Sequence, residues 1–188
     1  MRRFRADSLP DGLVADLIRA AALAPSVGLS QPWRFASVDD PGRRAAVRAS
    51  FEAANADALA ARGTEAADYA RLKLAGLDEA PTHLALFVDP DPAQGRGLGR
   101  ATMPETVGYS AVLALHTLWL AARVRGVGLG WVSILDPVRV REALDVPPHW
   151  RLVAYLCLGY PLAADDVPEL ERAGWERRRQ DAAAILRR

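Results

Sequence analysis

Three stretches of this chain combine residue types that purely structural segments seldom combine. Residues 24–35 read Ala-Pro-Ser-Val-Gly-Leu-Ser-Gln-Pro-Trp-Arg-Phe. Here Pro25 stops a helix, Gly28 offers bare backbone that another group can approach closely, and a strand opens on Trp33. Residues 128–134, Gly-Leu-Gly-Trp-Val-Ser-Ile, give a strand with small residues, an aromatic ring and a hydroxyl. Residues 98–105, Leu-Gly-Arg-Ala-Thr-Met-Pro-Glu, place Arg100 beside a glycine, as a mobile lid or a phosphate clamp would. Each has a plainer reading: a helix-to-strand turn, a strand-end serine, a surface loop. Lys73 is the sequence's one lysine and by default a solvated group on a helix.

The elements that must position these residues follow from periodicity. Residues 11–24 carry Leu13, Leu17, Ile18 and Ala21 on one helical face. Strands are expected at 33–38, 83–88, 128–134 and 150–158, and helices at 43–61, 65–77, 104–125 and 138–144. Residues 90–103 form the longest irregular stretch, which in a compact domain is usually functional or disordered. Helices come in pairs between strands, so an α+β domain fits better than a regular parallel alternation. The 161–188 extension is polar, with a short helix expected near 180–187. Trp175 and Leu170 within it would be costly to leave wet, so the tail is expected to pack on another subunit.

Several chemistries are excluded or weakened. With 188 residues and a net charge of +1, the chain is one domain with no electrostatic case for nucleic acid or an anionic membrane. No wholly apolar stretch reaches about 18–20 residues, and the first residues lack a signal-peptide core, so a cytoplasmic protein is the default. Cys157, the single cysteine, sits in an apolar run and reads as a core thiol. His83, His116 and His149 have no ligand-spaced partners, so no metal site is expected. The glycines at 95–99 and 126–130 resemble a dinucleotide fingerprint only superficially. One set lies in a loop, and the other joins a helix to a strand.

Taken together, the segments at 24–35, 69–74, 98–105, 118–123, 128–135, 153–161, 168–170 and 173–175 resemble the nitroreductase-like flavoprotein superfamily. Within it, Gly-Trp-Val-Ser-Ile and Tyr-Leu-Cys-Leu-Gly are particular to the dimethylbenzimidazole synthases. The resemblance implies a nitroreductase-like α+β domain over 1–188, with a central mixed sheet flanked by helices. It also implies a homodimer with two FMN sites built from both chains.

It further implies that reduced FMN is the substrate, fragmented with molecular oxygen to 5,6-dimethylbenzimidazole, the lower-ligand precursor of cobalamin. Erythrose 4-phosphate is the sugar-derived fragment, and a separate flavin reductase supplies the reduced flavin. Ser133 matches the catalytic serine, its hydroxyl able to donate and accept. Arg2, Ser26 and Arg178 are candidates for the phosphate, Lys73 for the anionic edge near N1, and Val27 and Gly28 for the ring edge. Leu98 and Trp131 would wall the ring from water, and Arg100 belongs to the lid. The turn at 25–28 and the strand at 131–134 are expected to meet on one face of the flavin.

The family's other catalytic residue, an aspartate in an Arg-Arg-Asp element, would fall just before Met1. Met1 is therefore expected to be an internal methionine, with that element encoded upstream. Thr106-Val107 and His116-Thr117 also depart from the family's Met-Asp and Gln-Asn. Two other readings stay open: a nicotinamide-dependent nitro- or flavin reductase of the same superfamily, and a flavin-binding module without activity.

Overall fold

Two aspartates start two of the helices. Asp40 accepts from the Arg43 N–H at 2.8 Å and Pro41 takes the first helical position, opening α2 (Pro41–Ala60). Asp136 and Pro137 repeat the device for α5 (Pro137–Ala143). The other helices are α1 (Leu13–Ala21), α3 (Ala66–Ala70), α4 (Thr106–Val124) and α6 (Glu169–Arg172). The strands are β1 (Trp33–Ser37), β2 (Thr82–Val88), β3 (Gly128–Val132) and β4 (Arg151–Gly159). The computed structural model describes residues 1–163 and 165–179, so the helix expected near 180–187 lies outside the described residues.

The sheet order is β1-β2-β4-β3. β2 and β4 are central, which is why both are almost continuously apolar. Side-chain alternation splits them between two cores. Leu84, Leu86, Leu156 and Leu158 face one core, shared with Leu17 and Ala21 of α1 and with α4. Ala85, Phe87, Tyr155 and Cys157 face the other, with Val47 of α2, Val140 of α5 and Phe4. Cys157 is fully buried there, and burial pushes its thiol up to about 12, so it stays protonated and inert.

The structure corrects four expectations. All three ladders are antiparallel, so the sheet of the described chain is not mixed. The helix expected over 65–77 is confined to Ala66–Ala70 after a 3₁₀ turn at Gly63–Glu65. Beyond it, the chain straightens to pass under the N-terminal segment: a Cβ on Gly76 would lie 2.5 Å from a ring carbon of Phe4. Tertiary packing overrides good helix formers there. Ser133 lies one residue past the end of β3 instead of within it. Finally, α4 is long and apolar enough, by length and composition, to cross a bilayer. Here it packs on α1 and the sheet, burying Ala111, Ala114, Leu115, Leu118 and Ala122.

Candidate functional site

The turn after α1 is unusual in its backbone. Gly28, Leu29 and Gln31 all take positive φ (56°, 57° and 42°), a region that costs a non-glycine residue about 1 kcal/mol. Local bonds hold it there. The Val27 N–H donates to Ser110 Oγ on α4 at 3.0 Å, and Ser110 in turn donates to the Thr106 carbonyl at 2.7 Å. The Gln31 N–H donates to Ser26 Oγ at 3.1 Å. The long loop then lies directly on this turn. Gln94 Nε2 donates to the Leu29 carbonyl at 2.6 Å and to Gln31 Oε1 at 3.2 Å. A Cβ on Gly28 would sit 2.8 Å from the Leu98 carbonyl oxygen.

Ser26, Val27, Gly28, Leu98 and Arg100 are therefore brought together. Leu29, Leu98 and Met103 form an exposed apolar rim around them. Arg100 is pinned within its own loop by Asp91 at 2.6 Å and the Pro92 carbonyl at 2.7 Å. The hydroxyl of Ser30 is buried beneath the turn without a protein partner.

A second group gathers near the opposite edge of the sheet. The Met1 amino group donates to the Leu129 carbonyl at 3.4 Å, and Met1 lies against Gly128 and Gly130, where any side chain would collide with it. Arg2 Nε donates to the Leu74 carbonyl at 3.3 Å, beside Lys73, and its guanidinium lies 3.9 Å from Glu169. Lys73 Nζ meets Glu79 Oε1 at 2.5 Å, and the other Glu79 oxygen is buried without a partner. Lys73 thus sits on a straightened segment, not on a helix, with its charge balanced. Trp131 is 39% exposed on β3. Ser133 is exposed in the short link to α5, which is anchored where the Asp136 N–H donates to Ser50 Oγ at 3.1 Å.

Arg178 lies on the exposed stretch after Trp175. Trp175 itself is half-buried and packs edge-on against Tyr69 of this same chain, ring centroids 6.2 Å apart.

Sequence reasoning missed Ser110 and Gln94, whose roles depend on folding. It also gave no role to Trp119 and Arg123, although they lie in a matched stretch. Both line a cavity of about 670 Å³ together with Met1, Arg2, Leu129 and Leu170.

The two groups do not meet within one chain. β1 and β3 are three ladder steps apart, roughly 14 Å at the usual strand spacing. Ser110, which anchors the first group, and Arg123, which borders the second, are separated by about 20 Å of α4 at 1.5 Å per residue. The 25–28 turn leads into β1, and residues 131–134 close β3, the opposite edge strand of the sheet. The first group offers bare backbone and exposed apolar side chains, the second cations, an exposed indole and a hydroxyl.

Known proteins resemble this chain in sequence and in fold. The model of the nitroreductase family matches residues 1–160. A 5,6-dimethylbenzimidazole synthase of Rhodospirillum rubrum is 57% identical over 95% of this chain and 85% of its own. Another of that name, from Rhodobacter capsulatus, is 50% identical over 94% of this chain and 86% of its own. Among solved structures, iodotyrosine deiodinase bound to FMN and 3-iodo-L-tyrosine superimposes with a TM-score of 0.73 at 26% identity. That match covers 99% of this chain and 91% of the other.

Proposed function

This chain belongs to the nitroreductase family, and on that premise we propose that it makes 5,6-dimethylbenzimidazole by oxygen-dependent fragmentation of reduced FMN. The observation that carries the reading is the 57% identity with the Rhodospirillum rubrum synthase, which extends over 95% of this chain. The product is the precursor of cobalamin's lower ligand, and a separate cytoplasmic reductase delivers the flavin already reduced.

The residues fit FMN in kind. The bare backbone at Gly28, the orphaned Ser30 hydroxyl and the exposed faces of Leu98 and Trp131 suit a flat, polar-edged ring. Arg2 and Arg178 suit the phosphate, with Ser26 beside them as a hydroxyl donor while its oxygen accepts from the Gln31 N–H. Reduced FMN supplies the electrons for oxygen and the ring that is broken. Ser133 Oγ accepts and returns a proton at the reacting edge, held by β3 on one side and α5 on the other. Lys73 Nζ turns from Glu79 to the anionic edge of the reduced ring. Val27 and Gly28 orient the ring through their backbone, and Trp131 and Leu98 exclude water.

Because the halves are separated within one chain, the working unit is a homodimer in which each flavin takes one half from each subunit. The uncovered apolar stripe of α4 (Tyr109, Val112, Leu113, Leu120 and Val124) supports that assembly.

The test is to mix the protein with reduced FMN in air and resolve the products by chromatography. Dimethylbenzimidazole is expected, with Ser133→Ala abolishing it while flavin still binds. Steady NAD(P)H oxidation with the flavin left intact would refute the reading.

A further inference from the structure

Three consecutive arginines, Arg177 to Arg179, follow α6 on an exposed stretch without regular structure. Such a stretch does not by itself aim any one of them. What fixes it lies just upstream. At α6, the Glu169 carboxylate accepts from Arg3 Nε at 3.2 Å and lies near Arg2. Gly174 then turns the chain with φ of 76°, and the Trp175 N–H donates back to the Leu170 carbonyl at 2.9 Å.

The indole that emerges is gripped on two sides. Its ring meets Tyr69 edge-on, and the Arg62 guanidinium stands 5.3 Å from the Trp175 ring and 4.9 Å from the Tyr69 ring. Tyr69 is itself immobile. It is only 4% exposed, and its hydroxyl donates to Asn55 Oδ1 at 2.8 Å. Asn55 also lines the cleft that holds Lys73. The clamp thus adjoins the group carrying Arg2 and Lys73, and it holds the chain just before the arginines begin. Three residues span at most about 10 Å, so a fixed Trp175 confines the backbone of Arg178 to that neighbourhood.

We propose that Trp175, held by Tyr69 and Arg62, is a positioning residue that delivers Arg178 to the flavin phosphate. The proposal rests on the flavin reading above. If it holds, loss of the indole acts on the phosphate alone, not on the ring.

FMN and riboflavin share the ring system and differ by the phosphate, so they separate the two effects. Dissociation constants for both are measured by flavin fluorescence with the full chain and with Trp175→Ala, Trp175→Phe, Arg178→Ala and the Trp175→Ala/Arg178→Ala pair. Trp175→Ala and Arg178→Ala are each expected to weaken FMN roughly tenfold, the scale of one charge-assisted hydrogen bond, and riboflavin less than twofold. The pair should be no worse than either alone, because both remove one unit. Trp175→Phe, which keeps a ring against Tyr69, should recover most of the affinity. Tryptic cleavage among residues 176–179 should quicken in Trp175→Ala.

Equal losses for FMN and riboflavin, or none for FMN, would overturn the role of Trp175 while leaving the flavin reading intact. A parent chain that binds neither flavin would overturn that reading first.

Discussion

Gly28→Ala tests the contact between the turn and the long loop, and Gly12→Ala supplies its control. Both glycines hold positive φ, 56° and 79°, so an alanine at either pays the same kind of backbone cost, about 1 kcal/mol. They differ in surroundings. A Cβ at Gly12 would meet nothing within 4 Å. At Gly28 it would stand 2.8 Å from the Leu98 carbonyl oxygen, 3.1 Å from Leu98 Cβ and 3.2 Å from the Gly95 carbonyl oxygen. Real Cβ atoms do not tolerate the first of these, so something must shift by several tenths of an ångström.

The turn is tied to α4 through Ser110, whereas Leu98 is 73% exposed, so the loop yields. The steric share therefore appears mainly as a displaced loop, with at most about 1–2 kcal/mol more in global stability. Urea midpoints and hydrogen exchange read the two components separately. Both variants should lose about 1 kcal/mol, but only Gly28→Ala should speed exchange at the amides of Leu98 and Met103, now bonded to the carbonyls of Gly95 and Gly99. FMN affinity should fall in Gly28→Ala alone. Matching exchange profiles and affinities in the two variants would refute the reasoning.

Ser110→Ala removes the acceptor of the Val27 N–H and should cost about 1–2 kcal/mol by urea unfolding, with the loss of FMN affinity exceeding that of riboflavin by less than twofold. His83 is buried against the Tyr155 hydroxyl at 2.9 Å, and burial lowers its imidazole from 6.5 to about 4. The unfolded chain therefore takes up this proton first. The stability it affects is complete above pH 6.5 and is lost as the pH falls towards 4, by about 3 kcal/mol. The difference in urea midpoint between wild type and His83→Gln should change over that window and stay flat from pH 7 to 8. Leu113→Glu with Leu120→Glu, on the uncovered stripe of α4, should give a folded monomer by light scattering that binds FMN at least tenfold more weakly.

Where side-chain pattern sets local structure, the sequence could be read directly. The apolar runs of β2 and β4 declare central strands, whereas Asp40-Pro41 and Asp136-Pro137, which cap and open α2 and α5, stand just before the helix starts expected at 43 and 138. The turn at Gly28 was legible because a glycine between Pro25 and Pro32 has few other uses. Where a residue answers to a distant partner, the pattern misleads. Leu72 to Ala75 would favour a helix in isolation, yet the segment runs straight so that the Leu74 carbonyl meets Arg2 and Gly76 passes beneath Phe4. Gly128 and Gly130 look like a phosphate loop, and their actual use is to seat Met1 against β3. Nothing in the sequence around Trp175 announces its contact with Tyr69, about a hundred residues earlier.

The division of the site into halves proposed above is of the same kind. A motif reports which side chains a ligand needs but not which copy of the chain presents them. Ser26 to Gly28 and Trp131 to Ser133 would be chosen together by any reading of residue types, and the fold puts them at opposite edges of one sheet. The long helix that divides the halves also carries the apolar residues left uncovered between them. If the ligand is a flavin, the burial of that stripe and the closing of the site are therefore a single event. Affinity for the ligand should then rise with protein concentration through the range in which the subunits associate.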